Sequence, residues 1–394
     1  MRKQRFLLFY LLFFCSVIAF TQSTVTVKSD KPIISFRGSY SSMWVVPTHD
    51  YVRSENITGE AITDGRNISA EMLVQTNGNK DWHQLYNFPK YGFGIQSLWF
   101  PQTDEIGSPV AIYAMLEGPI RRWKKSYISY KFHFGFSVGW KPYDEVTNPY
   151  NYLMGGPVAI YAHIGALYHY DLGKRWGIEG SLGFSHASNG NLKQPNFGIN
   201  FLDPRLALTY QLQDKQSIAK PHELAKFNPS NEISFSMAVG TKQLNVFGTD
   251  TTSQEQFGTK SFTVMSWVAV YHRIISRRSK IGAGIDFTID PSDNAHGIVV
   301  GNKDATYPAP FNEQAKLALV LSYELSVGKL ALVLQPGFYF YRTTFDPTPF
   351  FYQRIGAKYD VYKGLTAGAA LRAVNFGQAD WIEFSLGYTF KFKQ

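Results

Sequence analysis

The chain has 394 residues and a formal net charge of +9, and aromatic residues make up 16% of it, with 24 Tyr and 31 Phe. Beyond residue 21 no run of roughly 18 apolar residues occurs, which excludes a membrane-spanning helix. Much of the basic charge lies in short runs, at 121–125, 174–175 and 277–280. These runs indicate a solvated or phosphate-facing rim, and no nucleic-acid partner is expected because base-stacking aromatics are not interleaved with them.

Residues 1–21 have the features of a secretory signal peptide. Three cationic residues precede the apolar segment 6–19, which is too short for a transmembrane helix, and polar residues follow it. The only cysteine, Cys15, lies within this segment. A lipoprotein signal at Cys15 is the alternative, but residues 12–14 are not the small ones expected before a lipidated cysteine. We expect export, and a mature chain without disulfides or thiolate metal sites.

Apolar and polar residues alternate with period 2 through most of the remaining chain. The pattern is clearest at 127–141, from Ile128 to Trp140, and at 381–392. Alternation with many aromatics predicts an all-β protein, an antiparallel transmembrane β-barrel of the outer membrane of a Gram-negative bacterium. A soluble secreted β-sandwich or propeller is the alternative, with shorter and less aromatic strands. The predicted strands are 33–40, 67–77, 91–100, 109–118, 127–141, 156–171, 175–188, 199–212, 231–241, 261–274, 280–290, 314–326, 329–342, 350–361, 365–374 and 381–392.

Sixteen strands are compatible with two architectures. One barrel of about 12–16 strands is favoured, because an open sheet edge cannot be left in lipid. The alternative is an eight-strand barrel with a second β-unit. The predicted divisions are the signal peptide at 1–21, a barrel region at 22–212, a polar connection at 213–229, and further strands at 230–394. The aromatic last strand is typical of outer-membrane proteins, which makes the barrel assembly machinery an expected partner.

The segment His186-Ala187-Ser188-Asn189 ends the predicted strand 175–188. Residues i and i+2 of a strand share one face at a spacing of about 6.7 Å, so imidazole and hydroxyl lean together. The alternation places both on the apolar, lipid-facing side, and Asn200 of the next strand shares that side. The lumen side receives other polar residues: Lys131, His133, His163, His169, Glu179, Ser185, Arg205 and Glu383. A base beside a hydroxyl indicates nucleophilic catalysis on a lipid substrate.

The stretch 183–200 joins His-x-Ser-Asn to Pro-Asn-x-Gly at a fixed distance, and it resembles the lipid A 3-O-deacylase family (PagL-like, acyloxyacyl hydrolase-like). The resemblance covers residues 33–212. It implies an outer-membrane barrel that removes an ester-linked acyl chain from lipid A, with lipopolysaccharide as substrate, outer-membrane lipids around it, and no metal or organic cofactor. It also implies Ser188 as nucleophile and His186 as base. In the loop that faces outside, Asn189 and Gly190 are candidate oxyanion or positioning residues, and Lys193 is a candidate phosphate contact.

One position departs from the family. Where the family has a glutamate that orients the histidine, this chain has Asn200. An amide oxygen can accept the Nδ1 proton and fix the tautomer, but it cannot stabilise the imidazolium by charge. A displaced acid, Glu383 or Asp380, is the alternative if the fold brings it close.

The competing class of function is a non-enzymatic barrel, either a porin-like channel or a structural or adhesion protein. A channel needs a wide polar lumen, which sixteen strands in one barrel could supply. An eight-strand barrel is filled by its own side chains. The architecture therefore bears directly on the choice between the two functions.

Overall fold

The computed structural model describes residues 33–214, 224–247, 249–343 and 348–392. The predicted signal peptide at 1–21 lies outside these residues. Within them, sixteen strands form two closed antiparallel barrels of eight strands each. In the same part of the chain, no helix combines the length and the apolar character needed to cross a membrane.

The first barrel closes by pairing its last strand with its first, with Tyr40 opposite Leu206. Each strand pairs with its neighbours in sequence, as in an up-and-down barrel. The strands are β1 (Ile33–Val45), β2 (Asp64–Gln75), β3 (Lys90–Trp99), β4 (Gly107–Arg122), β5 (Ser126–Trp140), β6 (Val158–Asp171), β7 (Trp176–Ser188) and β8 (Ile199–Gln211). Short helices lie in its connections: α1 (Asp50–Arg53), α2 (Asp81–Leu85) and α3 (Thr103–Ile106).

The second barrel closes in the same way, with Met237 of its first strand opposite Leu386 of its last. Its strands are β9 (Ser230–Gln243), β10 (Ser261–Ile274), β11 (Ser279–Ile289), β12 (Ala315–Val327), β13 (Leu330–Tyr341), β14 (Phe351–Tyr362), β15 (Leu365–Val374) and β16 (Gln378–Lys391). Its connections contain α4 (Thr251–Phe257), α5 (Ser292–Val299) and α6 (Phe311–Gln314).

The favoured single barrel of 12–16 strands is therefore wrong, and the eight-strand barrel with a second β-unit is correct. The argument against an open edge in lipid holds, but each half satisfies it separately because β8 returns to β1 and β16 returns to β9. The predicted strand count and the alternation of faces are confirmed. Alternation shows which side of a strand is apolar, but it does not show which strand completes the sheet.

Buried ion pairs fill the lumen of the first barrel. Arg37 is 4% exposed and lies within 2.6–2.7 Å of carboxylate oxygens of Glu71, Glu117 and Glu179. Such a charge is tolerated in the interior because several opposite charges and hydrogen bonds compensate its lost hydration. The polar residues predicted to face the lumen, including Lys131 and His133, are buried there.

The lumen of the second barrel contains a comparable network. Asp286 accepts from Arg354 at 2.8 Å and from Arg372 at 2.9 Å. Glu383 accepts from the same two arginines at 2.5 and 2.8 Å. All four residues are at most 5% exposed. Both lumens are thus filled by side chains in the part of the chain that the structure describes, as expected for eight strands.

One mouth of the first barrel is closed by an apolar cluster that includes loop residues. Leu153 is fully buried, while Tyr51 and Trp140 are each 2% exposed. Ala187 of β7 and Ile199 of β8 point into the same cluster. The connections at this end are therefore packed against the barrel, and they hold the ends of β7 and β8 in place.

Candidate functional site

His186 and Ser188 lie on the outer wall of the first barrel, at the end of β7. The lumen-facing neighbours Ser185 and Ala187 are completely buried, which fixes the alternation of this strand. His186 Nε2 lies 2.8 Å from Ser188 Oγ, within hydrogen-bond distance. A neutral imidazole whose Nε2 accepts from a hydroxyl is positioned to take that proton as the hydroxyl attacks.

Asn200 completes a Ser-His-Asn arrangement. It sits directly opposite His186 in the β7–β8 pairing, and its Oδ1 lies 2.7 Å from His186 Nδ1. Asn200 Nδ2 donates to Thr48 Oγ1 at 3.2 Å, and Asn200 O accepts from Val46 N at 2.8 Å. Both polar atoms of the side-chain amide are thus bound. In this orientation His186 carries its proton on Nδ1, which leaves Nε2 free to accept from Ser188.

The loop between β7 and β8 begins with two residues in left-handed conformation, Gly190 at φ 64° and Asn191 at φ 71°. Asn189 is 4% exposed, and its backbone N–H donates to Asn196 Oδ1 at 2.7 Å. An oxyanion contact from Asn189 must therefore come from its side chain. Among the described residues, no acceptor binds Gly190 N, so this amide is the candidate backbone donor.

Gly198 lies against His186 and Ser188 and has φ of 66°. A Cβ at this position would lie 2.8 Å from Ser188 Cβ, 2.8 Å from Ala187 O and 3.1 Å from His186 Cε1. Glycine satisfies both the left-handed backbone and the close approach. In the Pro-Asn-x-Gly segment, Asn196 therefore holds the start of the loop and Gly198 leaves room for Ser188.

Loop residues outside the motif support Gly198 from the other side. His49 Nε2 donates to Gly198 O at 3.2 Å, and the His49 ring stacks on Phe197 with centroids 5.4 Å apart. Gly198 N donates to Leu153 O at 3.0 Å. Burial lowers the pKa of His49, although the Gly198 carbonyl opposes this shift. His49 is thus neutral near pH 7, with one ring N–H to donate.

The alternative acids are bound elsewhere. Glu383 is in the lumen of the second barrel between Arg354 and Arg372. Asp380 Oδ1 accepts from Lys242 Nζ at 2.7 Å. Both carboxylates thus have cationic partners within the second barrel, whereas the group on His186 Nδ1 is the side-chain oxygen of Asn200. Lys193 is exposed in the β7–β8 loop.

Comparison with known families identifies both halves of the chain. Residues 67–209 match the family described as "Lipid A 3-O-deacylase (PagL)", and residues 231–392 match "Acyloxyacyl hydrolase, C-terminal domain". The two halves of the chain thus match two PagL-like family models, consistent with a two-part PagL-like protein, and both family names denote hydrolases of acyl esters. No curated protein matches this sequence.

Solved structures that align with the PagL-like chain include two mutants of Rhodopseudomonas blastica porin. Their identities are 7% and 8%, and their TM-scores are 0.19 and 0.18. Each alignment covers 91% of this chain and 100% of the porin chain. Scores this low mean that the backbones do not superpose, so they carry no information about function.

In the sequence of the PagL-like chain, strand alternation put His186, Ser188 and Asn200 on one face, and the structure brings the three side chains within hydrogen-bond distance. It did not predict the contacts of Thr48 and His49. These two residues lie about 150 positions before Asn200 and Gly198. No periodic pattern marks such loop contacts. The Pro-Asn-x-Gly pattern is the signal in the sequence that could have indicated the roles of Asn196 and Gly198.

Proposed function

We propose that this chain is an outer-membrane esterase that removes an ester-linked acyl chain from lipid A or a related glycolipid by a Ser/His mechanism. The observation that carries the proposal is the outward Ser188-His186-Asn200 arrangement at the end of a strand with an apolar outer face. A soluble substrate would not require a nucleophile on the apolar wall of a barrel. A membrane lipid presents its ester at that depth.

The chemistry follows from the hydrogen bonds. His186 Nε2 takes the proton of Ser188 as Oγ attacks the ester carbonyl, and a tetrahedral oxyanion forms. His186 then gives the proton to the departing sugar oxygen, leaving an acyl-serine. Water, deprotonated by His186, hydrolyses this ester and regenerates Ser188. Asn200 holds the imidazole throughout, and Gly190 N and the Asn189 side chain are the candidate oxyanion donors.

The surface beside the site suits an acyl chain. Ala162 of β6 lies opposite His186, and Ile160 lies opposite Ser188. Phe184 of β7 and Leu202 of β8, which are directly paired, extend the apolar outer wall. The chain of the substrate can therefore remain in the lipid phase while its ester reaches Ser188. Lys193 is proposed to contact a substrate phosphate from the loop.

Mass spectrometry of lipid A tests the proposed function. Cells that make the protein should contain lipid A lacking one ester-linked acyl chain, and cells that make the Ser188→Ala variant should not. Free fatty acid should appear in the same samples. An unchanged acyl pattern, with no fatty acid released from any other lipid, would exclude the esterase.

The proposed topology places the β7–β8 loop outside the cell. Leu192 is 40% exposed in that loop, and a side chain at Gly173, in the β6–β7 turn, would meet no atom within 4 Å. Leu192→Cys should react with an impermeant maleimide in intact cells, whereas Gly173→Cys should react only after lysis. Labelling of Gly173→Cys alone in intact cells would reverse the orientation.

Gly198→Ala should reduce turnover about 100-fold, because the new methyl group displaces the catalytic pair by a fraction of an ångström or more. The matched control is Gly156→Ala, where a Cβ meets nothing within 4 Å and the backbone is not left-handed. Both variants should assemble, which heat-modifiable migration on gels checks. Equal activity of the two variants would show that the close approach at Gly198 does not matter for catalysis.

A further inference from the structure

Charge is distributed unevenly between the two ends of the first barrel. The end that carries Ser188 has the connections 46–63, 100–106, 141–157 and 189–198. These connections contain more acids than bases: Asp50, Glu55, Glu60, Asp104, Glu105, Asp144 and Glu145 against Arg53, Lys141 and Lys193. The opposite end has the turns 123–125 and 172–175, which contain no acid and carry Lys124, Lys125, Lys174 and Arg175. Its longer connection, 76–89, carries one base, Lys80, and one acid, Asp81.

Four exposed cations at this opposite end form what we call the basic rim: Arg121, Lys124, Lys125 and Lys174. Among the described residues, none of the four forms an ion pair with a carboxylate, whereas Arg37 and Arg205 in the lumen do. Arg121 lies over the ring of Trp123, 5.2 Å from its centroid. Interfacial tryptophan beside cations is typical of the headgroup region of a membrane.

Two neighbouring arginines have structural partners and are excluded from the basic rim. Arg122 donates to Asn87 O at 3.3 Å and to Phe88 O at 3.1 Å. Arg175 pairs with Asp214 at 2.6 Å. The cations of the rim therefore differ from these two adjacent arginines, whose guanidinium groups bind acceptors of the protein.

The second barrel, taken by itself, shows the same distribution. Its turns 275–278, 328–329 and 363–364 contain no acid and carry Arg277, Arg278, Lys329 and Lys363. Lys329 and Lys363 lie over the rings of Tyr359 and Tyr362, at 5.8 and 5.0 Å. Two barrels with different sequences thus combine cations and aromatic rings at the end with short turns.

The basic rim and Ser188 are separated by about the thickness of a bilayer. The strand β7 has 13 residues, which at about 3.3 Å each span roughly 40 Å. A tilt of about 40° reduces this to roughly 30 Å along the barrel axis, close to the hydrocarbon thickness. When Ser188 lies at one headgroup layer, the basic rim lies at the other.

We propose that the basic rim binds the phosphate groups of anionic phospholipids in the leaflet opposite the one that presents substrate to Ser188, an inference that rests on the membrane placement proposed above. Exposed cations are attracted to an anionic lipid surface, and aromatic side chains beside them sit at the same depth. Lipid A phosphates are the other source of this chemistry. Because the proposed function puts lipid A in the leaflet at Ser188, phospholipid is the better match for the rim at the other leaflet.

The test uses the mature protein, whose only cysteine is introduced as Gly173→Cys and carries a fluorophore next to Lys174. In mixed micelles of a neutral detergent, brominated phosphatidylglycerol should quench the fluorophore at lower mole fraction than brominated phosphatidylcholine. Replacing Arg121, Lys124 and Lys125 with Gln should remove this preference. Each neutralised cation should lower the relative affinity for phosphatidylglycerol roughly fivefold. The charge-conserving substitutions Lys124→Arg and Lys125→Arg should preserve the preference for phosphatidylglycerol.

The matched control neutralises Arg53 and Lys141, which lie at the Ser188 end, and should leave the preference unchanged. Lack of preference in the unsubstituted rim, or equal loss in the control, would overturn the proposal. Unlabelled lipid A that competes as well as phosphatidylglycerol would assign the rim to lipopolysaccharide instead. Ser188→Ala should keep the lipid preference, and the rim variants should keep ester hydrolysis in detergent. The two assays therefore show separately whether the lipid-binding proposal or the esterase proposal fails.

Discussion

Replacing Ser188 with alanine should abolish acyl ester hydrolysis, with kcat falling roughly 10⁴-fold or more. The serine supplies the atom that forms the acyl-enzyme bond, and no other hydroxyl lies on His186 Nε2 in the described residues. His186→Ala should have a comparable effect. Since the two side chains act as one unit, the double variant should be no worse than either single variant.

A serine on the other face of the same strand provides the control. Ser185 Oγ lies 2.8 Å from His163 Nδ1 in the lumen, where Ser185 is fully buried. Ser185→Ala should leave kcat essentially unchanged, because no substrate reaches this pair. Fatty-acid release from purified lipid A measures both variants, with heat-modifiable migration as the check on assembly. Activity in Ser188→Ala together with loss in Ser185→Ala would move the nucleophile into the lumen.

The second barrel contains another buried contact of this kind. His272 Nε2 lies 3.0 Å from Ser322 Oγ and 3.3 Å from Glu324 Oε1. These three residues are at most 5% exposed. A Ser-His-acid grouping thus also occurs inside a barrel, where it is closed off from the outer wall. What distinguishes Ser188 and His186 is their position on the outer wall, which alternation along the strand determines.

Alternation along the strands carried most of the information in this sequence. It located the sixteen strands, put Lys131 and Glu179 inside, and put His186 outside, because burial on one side of a sheet forces period 2. It did not predict the closure of two separate barrels. The pairings of β1 with β8 and β9 with β16 join residues far apart in sequence, and their outer faces look alike in either architecture.

At the candidate site too, the sequence predicted what strand alternation determines and missed what depends on contacts between loops. Asn200 was predicted from the family resemblance, in which its position holds a glutamate, and from the alternation that puts it on the same face as His186. The pairing of β7 with β8 then brings it directly opposite His186. Leu153 and Tyr51 lie outside the predicted strands, yet both are buried in the cluster that closes the barrel mouth. Their burial depends on how separate loops meet, and single residues in irregular segments carry no periodic signal.

Asn200→Ala should lower kcat by roughly 100-fold, less than Ser188→Ala, because it removes the orientation of His186 but not the attacking atom. The imidazole would then be free to rotate or to place its proton on Nε2. The KM should change little, because the Asn200 side chain is hydrogen-bonded to His186 and Thr48. The acyl chain is proposed to lie along the apolar residues of the outer wall instead. Steady-state hydrolysis of lipid A, measured as kcat and KM separately, checks this split.

Asn200→Asp should equal or exceed the activity of the unsubstituted protein. The side chain keeps its length, one oxygen replaces the acceptor at 2.7 Å from His186 Nδ1, and the Thr48 hydroxyl can donate to the other. The new carboxylate also stabilises the imidazolium that forms during attack. Because it favours the protonated ring before attack as well, the acid limb of the pH profile should move to higher pH.

Asn200→Glu separates charge from geometry. The family resemblance favours this variant, since a glutamate orients the histidine there, and the sequence alone predicts that it holds or increases activity. Asparagine already reaches His186 Nδ1 at 2.7 Å across a directly paired position. The extra methylene must fold aside, so Asn200→Glu should recover less activity than Asn200→Asp but more than Asn200→Ala. Full activity of Asn200→Ala beside an inactive Ser188→Ala would show that His186 needs no partner on Nδ1.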